Sequence, residues 1–293
     1  MSTAAGALAV PLSALVGGAG TAVPAGVGTE GCHLNSGCGF PAPGADIFEF
    51  VPYAQFDFLG VHWSITKPVV LLLLGSVIVI VFFAFAFGRP RMVPRPVQNL
   101  GEIGYLFVRD SIAREVIGRD GERFVPLLFS LFFYIWVMNL FGVFALAQFP
   151  TMSRLMFPAA LAAMVWLVYM YLGLRHQGPI GFFKNMMFPP GLPAWLYFIL
   201  APIELISNVL VRPFTLAIRL FANMFAGHLL LTTFTVATWY LLSPSLIGLV
   251  GSAASFVLTI ILTAFELLIQ ALQAFIFTLL TAVYIAGSLH ADH

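Results

Sequence analysis

"RPFTLAIRLFANMFAGHLLL", residues 212–231, places a permanent charge inside an apolar segment. A guanidinium stays protonated at any accessible pH, so burial cannot neutralise Arg219. At the centre of a membrane helix an arginine costs about 3 kcal/mol on insertion scales. The nearest acidic residue in sequence is Glu204, fifteen positions back. Something outside this segment has to compensate Arg219, and that requirement leads to the function.

Composition says what kind of molecule surrounds it. The chain has 293 residues, 60% hydrophobic and 9% charged, with 30 Phe and a mean hydropathy of +0.99. Soluble domains carry roughly 25% charged residues, and apolar runs of about 20 residues read as membrane spans. The chain is therefore an all-α polytopic membrane protein with a single membrane domain over 61–293. A net charge of +1 gives no ground for a nucleic-acid partner.

The few charges are unevenly spread. Residues 89–123 hold seven arginines (Arg89, Arg91, Arg95, Arg109, Arg114, Arg119, Arg123) and five acids. From 124 to 289 only Glu204 and Glu266 are acidic, against Arg154, Arg175, Lys184, Arg212 and Arg219. By the positive-inside rule the arginine-rich loop is cytoplasmic, which puts residues 1–60 outside. A signal peptide over about the first 25 residues is the alternative there, without the usual basic n-region, since no Lys or Arg occurs through residue 45. Cys32 and Cys38 in "CHLNSGCGFPAPG" face an oxidising compartment and can form a disulfide; two lone cysteines are weak evidence for a metal site.

Hydropathy sets the spans at 68–88, 124–149 and 155–175. Between the first two, 96–118 is too polar to span; Val97, Leu100, Ile103, Phe107, Ile112 and Val116 give it one apolar face, as in a helix lying at the cytoplasmic surface. The apolar stretches 195–240 and 246–289 are each about 45 residues, and "SPS" parts them. As one helix each would approach 70 Å, against a hydrocarbon core of about 30 Å. Each is either two spans or one steeply tilted helix. No polar turn divides them, and Pro202 and Pro213 can kink a membrane helix without ending it. The tilted hairpin is favoured, which makes five membrane segments and a cytoplasmic C-terminus.

At 100° per residue, Glu204, Asn208, Arg212, Thr215, Arg219 and Asn223 form one polar stripe, at steps of four or three. Glu266, Gln270 and Gln273 form a second on the last helix. Polar groups at membrane depth face a partner or water. Some admit a plain explanation. Gln270 suits a helix-joining hydrogen bond, Arg212 can snorkel, Glu204 and Arg212 can pair as ions, and His228 alone can be a core histidine. With Glu266 on the adjoining arm, His228 instead suits a proton relay.

"RPFTLAIRLFANMFAGH", followed about forty residues later by "ELLIQALQAFIFTLLTAVY", resembles subunit a of the F-type ATP synthase. The resemblance covers roughly 124–289, and "MNL" with Asn139 fits an earlier span of that family. It implies a non-catalytic stator subunit beside a rotating ring of c subunits, each with one membrane carboxylate. Peripheral-stalk b subunits, other membrane-sector subunits, lipid and protons are the remaining partners, and the location is a bacterial plasma membrane rather than a mitochondrial inner one. Arg219 matches the family's essential arginine between two aqueous half-channels; Asn223, His228, Glu266 and Gln273 match positions lining the outer one. Some members have the acid at 228 and the histidine at 266, so the pair is exchanged here. Gly142 stands where some members have an acid after "MNL", and no carboxylate lies near Thr66. ATP chemistry belongs elsewhere, since no Walker-type glycine loop occurs, and no cofactor or metal is expected. A secondary transporter or cation channel is the alternative; such transporters usually carry internal repeats, and none is evident.

Overall fold

The computed structural model describes residues 32–34, 39–48, 54–58, 61–88, 96–144, 147, 149–187 and 197–289. Cys38, Arg89, Arg91 and Arg95, named above, lie outside them.

One feature was not expected: a short antiparallel hairpin of β1 (Ala54–Phe58) and β2 (Val61–Ile65) ahead of the first span. Apolar and polar residues alternate along both strands, the period-2 signal of a strand. The register pairs like with like: Phe56 opposite Trp63, Gln55 opposite Ser64.

The regular structure described after it is all helical. Helix α1 (Lys67–Phe87) starts on Pro68, whose fixed φ suits a first turn. Helix α2 (Pro96–Val108) continues as a π-helical stretch, Arg109–Ile117, up to Gly118 at φ +82°. Only glycine takes that left-handed conformation without strain. The chain turns there through Gly118–Phe124 into α3 (Val125–Leu140). On α2 the usual arrangement is inverted. Gln98 is buried while Val97, Leu100, Ile103 and Phe107 are exposed, as suits a helix whose outer face meets lipid. Ile112, expected on the same face, is buried.

The second span is shorter than hydropathy implies. Helix α3 ends at Leu140, not 149, because the chain turns at Phe141–Phe144 and then folds back: the Phe149 N–H donates to the Phe141 carbonyl. Pro150 also packs where a β-carbon on Gly142 would sit. Helices α4 (Met156–Gln177) and α5 (Pro179–Met187) meet at Gly178, φ +72°. Phe182 of α5 packs onto Gly173 of α4 so closely that no side chain fits at 173.

Helix α6 (Tyr197–Ile206), a π-turn (Ser207–Val211) and α7 (Arg212–Leu241) follow without a break, then α8 (Leu246–Leu289). The two long stretches are thus two long helices, not four short ones. At 1.5 Å per residue the 44 residues of α8 rise about 66 Å. The core gathers α3 (Leu128, Ile135, Met138), α7 (Leu216, Leu220, Met224) and the second half of α8 (Phe277, Ala282, Ile285). From Leu246 to Phe265 only Gly248 and Ser252 are buried. Burial along α8 begins in earnest at Glu266.

Candidate functional site

The π-turn decides which polar residues share a face. Pro213 has no N–H, so a carbonyl one turn back loses its donor. The π-turn re-aims these groups: the Arg212 N–H reaches the Ser207 carbonyl, and the Asn208 carbonyl accepts instead from the Tyr169 hydroxyl at 2.6 Å. One residue of extra winding rotates everything before it by about 100°. Asn208 is therefore buried, donating to the Glu204 carbonyl at 2.9 Å and to Glu204 Oε2 at 3.2 Å, while Leu210 is 65% exposed. This divides the expected stripe, leaving Asn208 off the face of Arg219. Arg212 lies over the Tyr284 ring, 5.4 Å from its centroid, and no ion pair joins it to Glu204 among the described residues.

Thr215, Arg219 and Asn223 remain together on the exposed face, opposite the buried Leu216, Ala217 and Leu220. The Thr215 hydroxyl donates to the Val211 carbonyl at 2.8 Å, which satisfies it within its own helix. Arg219 makes no hydrogen bond or ion pair with any described residue. Ala222 and Ala226 beside it are also exposed, so the backbone of a partner helix can come close.

Asn223 links this face to the second stripe: its amide donates to Gln273 Oε1 at 2.8 Å. Gln273 is buried, as are Gln270 and Glu266. Gln270 Nε2 lies 3.5 Å from Glu266 Oε1, a long contact. Opposite them stands Gly227, where a β-carbon would lie 3.2 Å from both Cδ and Oε1 of Glu266. Glycine here lets α7 approach the carboxyl.

His228 follows that glycine but turns elsewhere. Its ring lies edge-on to Phe48 at 5.7 Å and to Phe149 at 6.1 Å, and no hydrogen bond joins it to Glu266 among the described residues. Asn139, at the end of α3, is fully buried. Sequence reasoning missed Phe48, Tyr169 and Phe149, since apolar and aromatic residues in a chain this rich in them carry no local signal of a site. Gly227 was legible only as a small residue.

Among the described residues seven polar side chains keep at least one buried atom without a hydrogen-bond partner: Asn139, Thr151, Trp166, His228, Glu266, Gln270 and Gln273. Buried polar groups are paired or hydrated. A band of such groups running from the last turn of α3 to Gln273 suits hydration better than a dry core does. No cluster of metal-ligating side chains occurs among the described residues. Cys32 is disulfide-bonded.

With that geometry in place, comparison with known proteins is decisive. A family model described as ATP synthase A chain matches residues 69–286. The chain belongs to the ATP synthase A chain family. Its relatives include ATP synthase subunit a of Streptomyces lividans, 46% identical over 89% of this chain and 92% of that protein. Those of Frankia alni (42% identical; 87% and 88%) and Hyphomonas neptunium (40%; 84% and 95%) are further examples. The segment matched as ATP synthase A chain contains Asn139, Arg219, His228, Glu266 and Gln273, and begins after Phe48. Among the described residues five helices are long and apolar enough to cross a membrane.

Proposed function

We propose that this chain is the proton-translocating stator subunit of an ATP synthase in a bacterial plasma membrane, with its N-terminus outside and its C-terminus in the cytoplasm. Its partners are a rotating ring of c subunits and the peripheral-stalk b subunits. One observation carries the reading: Arg219 is exposed, unpaired among the described residues, and flanked by exposed alanines on a face with no acidic residue. A ring carboxylate passing this face ionises, because a nearby opposite charge lowers its pKa. Against lipid the same carboxylate holds its proton, because desolvation disfavours the charge.

Arg219 also repels a proton seeking to cross directly between the two half-channels. Asn139, His228, Glu266, Gln270, Gln273 and Asn223 line the outer one, with Thr215 on the ring face; Glu204 and Asn208 stand toward the other end of the hairpin. Each proton falling through about 100 mV releases about 2.3 kcal/mol, so several must pass for each ATP. A 66 Å helix in a 30 Å layer runs steeply tilted, which lets one helix follow the curved side of a ring.

The test is purification and pumping. A tagged chain should bring down a ring of small membrane subunits, and vesicles bearing the complex should acidify on ATP addition. Arg219→Ala should preserve the assembly and abolish acidification. Normal coupled pumping by that variant would refute the reading.

A further inference from the structure

Phe48 lies outside the membrane spans, carries no charge, and precedes the matched family segment, yet it is buried at 7% exposure. It ends a 3-10 turn, Ala45–Phe48. Its ring stacks on Phe225 at 4.5 Å, tilts against Phe149 at 5.9 Å and meets His228 edge-on at 5.7 Å. Its carbonyl accepts a 2.6 Å hydrogen bond from Arg154, so the residue is fixed at both backbone and side chain.

The rest of the segment is tied to the far end of α7. The Leu34 N–H donates to the Tyr240 carbonyl at 3.0 Å. His33 Nδ1 lies 3.3 Å from the Trp239 carbonyl, and Phe40 meets Tyr240 edge-on at 5.5 Å. The described residues 32–34 and 39–48 thus lie against the second half of α7 as a strap that ends with Phe48 on the imidazole. His228 Nδ1 is enclosed and without a hydrogen-bond partner. Among the described residues the other charged groups around this place are Arg154 on the Phe48 carbonyl, Lys67, whose field reaches His228, and Glu266 against Gly227.

We infer that Phe48 is the positioning residue of His228: it covers the imidazole, fixes the plane of its ring, and controls its access to water. An edge-on aromatic contact has a preferred geometry, so the phenyl ring does more than fill space. With Phe48 gone, the strap leaves a hole directly over the imidazole. The inference rests on the proton-carrying role proposed for His228, but its test does not.

That test uses the intact complex in detergent, treated for timed intervals with diethyl pyrocarbonate, which carbethoxylates accessible imidazoles. Mass spectrometry then reads the adduct on the peptide holding His228, with the exposed His176 as internal reference. Phe48→Ala should raise the His228 labelling rate roughly tenfold, the scale of losing a locally closed structure, with His176 unchanged. Phe48→Leu, which refills the space without an aromatic edge, and Arg154→Gln, which frees the strap and keeps the ring, should both fall between. Labelling of Phe48→Ala at the wild-type rate overturns the inference. If Phe48→Ala does not assemble, wild-type labelling in Arg154→Gln overturns it. Faster labelling with unchanged pumping would leave the cover standing and contradict the proton role of His228.

Discussion

Between α2 and α3, Arg114 donates to Asp110 at 3.2 Å and to Glu122 at 2.6 Å, and Arg109 shares Asp110 at 2.9 Å. On α7, Arg219 donates to nothing described. The same side chain is answered locally in one place and left open in the other. Arg114 is half exposed (49%), where ion pairs contribute about 0–1 kcal/mol. It can afford its partners and hardly needs them. Arg219 sits in a segment that has neither a carboxylate nor bulk water at hand, where an unpaired charge is costly. In the proposed assembly a ring carboxylate supplies its counterpart.

Breaking each arginine in turn is the strongest way to test that contrast. If a ring carboxylate answers Arg219 out of water, Arg219→Ala removes one half of a pair worth about 3–5 kcal/mol, and coupled pumping should fall about 100-fold or more. The measurement is the initial rate of vesicle acidification, and a variant within a few-fold of wild type would erase the contrast.

The next effect concerns His228 and Glu266, which share the neighbourhood of Gly227 without a direct hydrogen bond. If they serve one relay, His228→Glu with Glu266→His should pump faster than either single variant. A double variant no better than the worse single one separates them. Smaller again is Gly227→Ala. Its β-carbon would stand 3.2 Å from the Glu266 carboxyl and push it by a few tenths of an ångström. Misplacing a reacting group by about 1 Å can cost about 100-fold, so a loss of about tenfold is expected, with assembly intact. Unchanged pumping would mean that the exact seat of Glu266 does not matter. Smallest is Arg114→Ala: pumping should stay at the wild-type rate and the melting temperature of the complex should hardly move. A large loss there would show that the arginine-rich segment does more than hold itself together.

Much of this was readable in the sequence, for physical reasons that differ by region. The spans and the long hairpin follow from hydropathy and from the lack of any polar break between 200 and 241 or 246 and 289. Arg219, Asn223 and Gln273 stand out because polar groups are scarce there. The β1–β2 hairpin was also legible, since "AQFDF" and "VHWSI" alternate cleanly, but hydropathy averaged over a span-length window hides a period of two. The end of α3 was hidden in the same way: residues 141–149 are apolar yet turn, because Gly142 and Pro150 pack together. The π-turn at Ser207–Val211 is a third case. An ideal 100° step puts Asn208 beside Arg219, and only the backbone bonds around Pro213 reveal the rotation that takes it away. Phe48 lay beyond sequence reasoning, because a contact across 180 residues leaves no periodic trace.

The central claim is that the Arg219 face meets another subunit, and disulfide trapping asks this directly. Single cysteines at Thr215, Ala222 and Ala226, all exposed on that face, would be paired in the assembled complex with cysteines on the outer helix of the ring subunit. Ala217, buried on the opposite side at 4% exposure, is the control. Oxidant-dependent crosslinks to the ring subunit are expected at 215, 222 and 226 and none at 217. Absence of crosslinks at all three exposed positions, or equal trapping at 217, would contradict it.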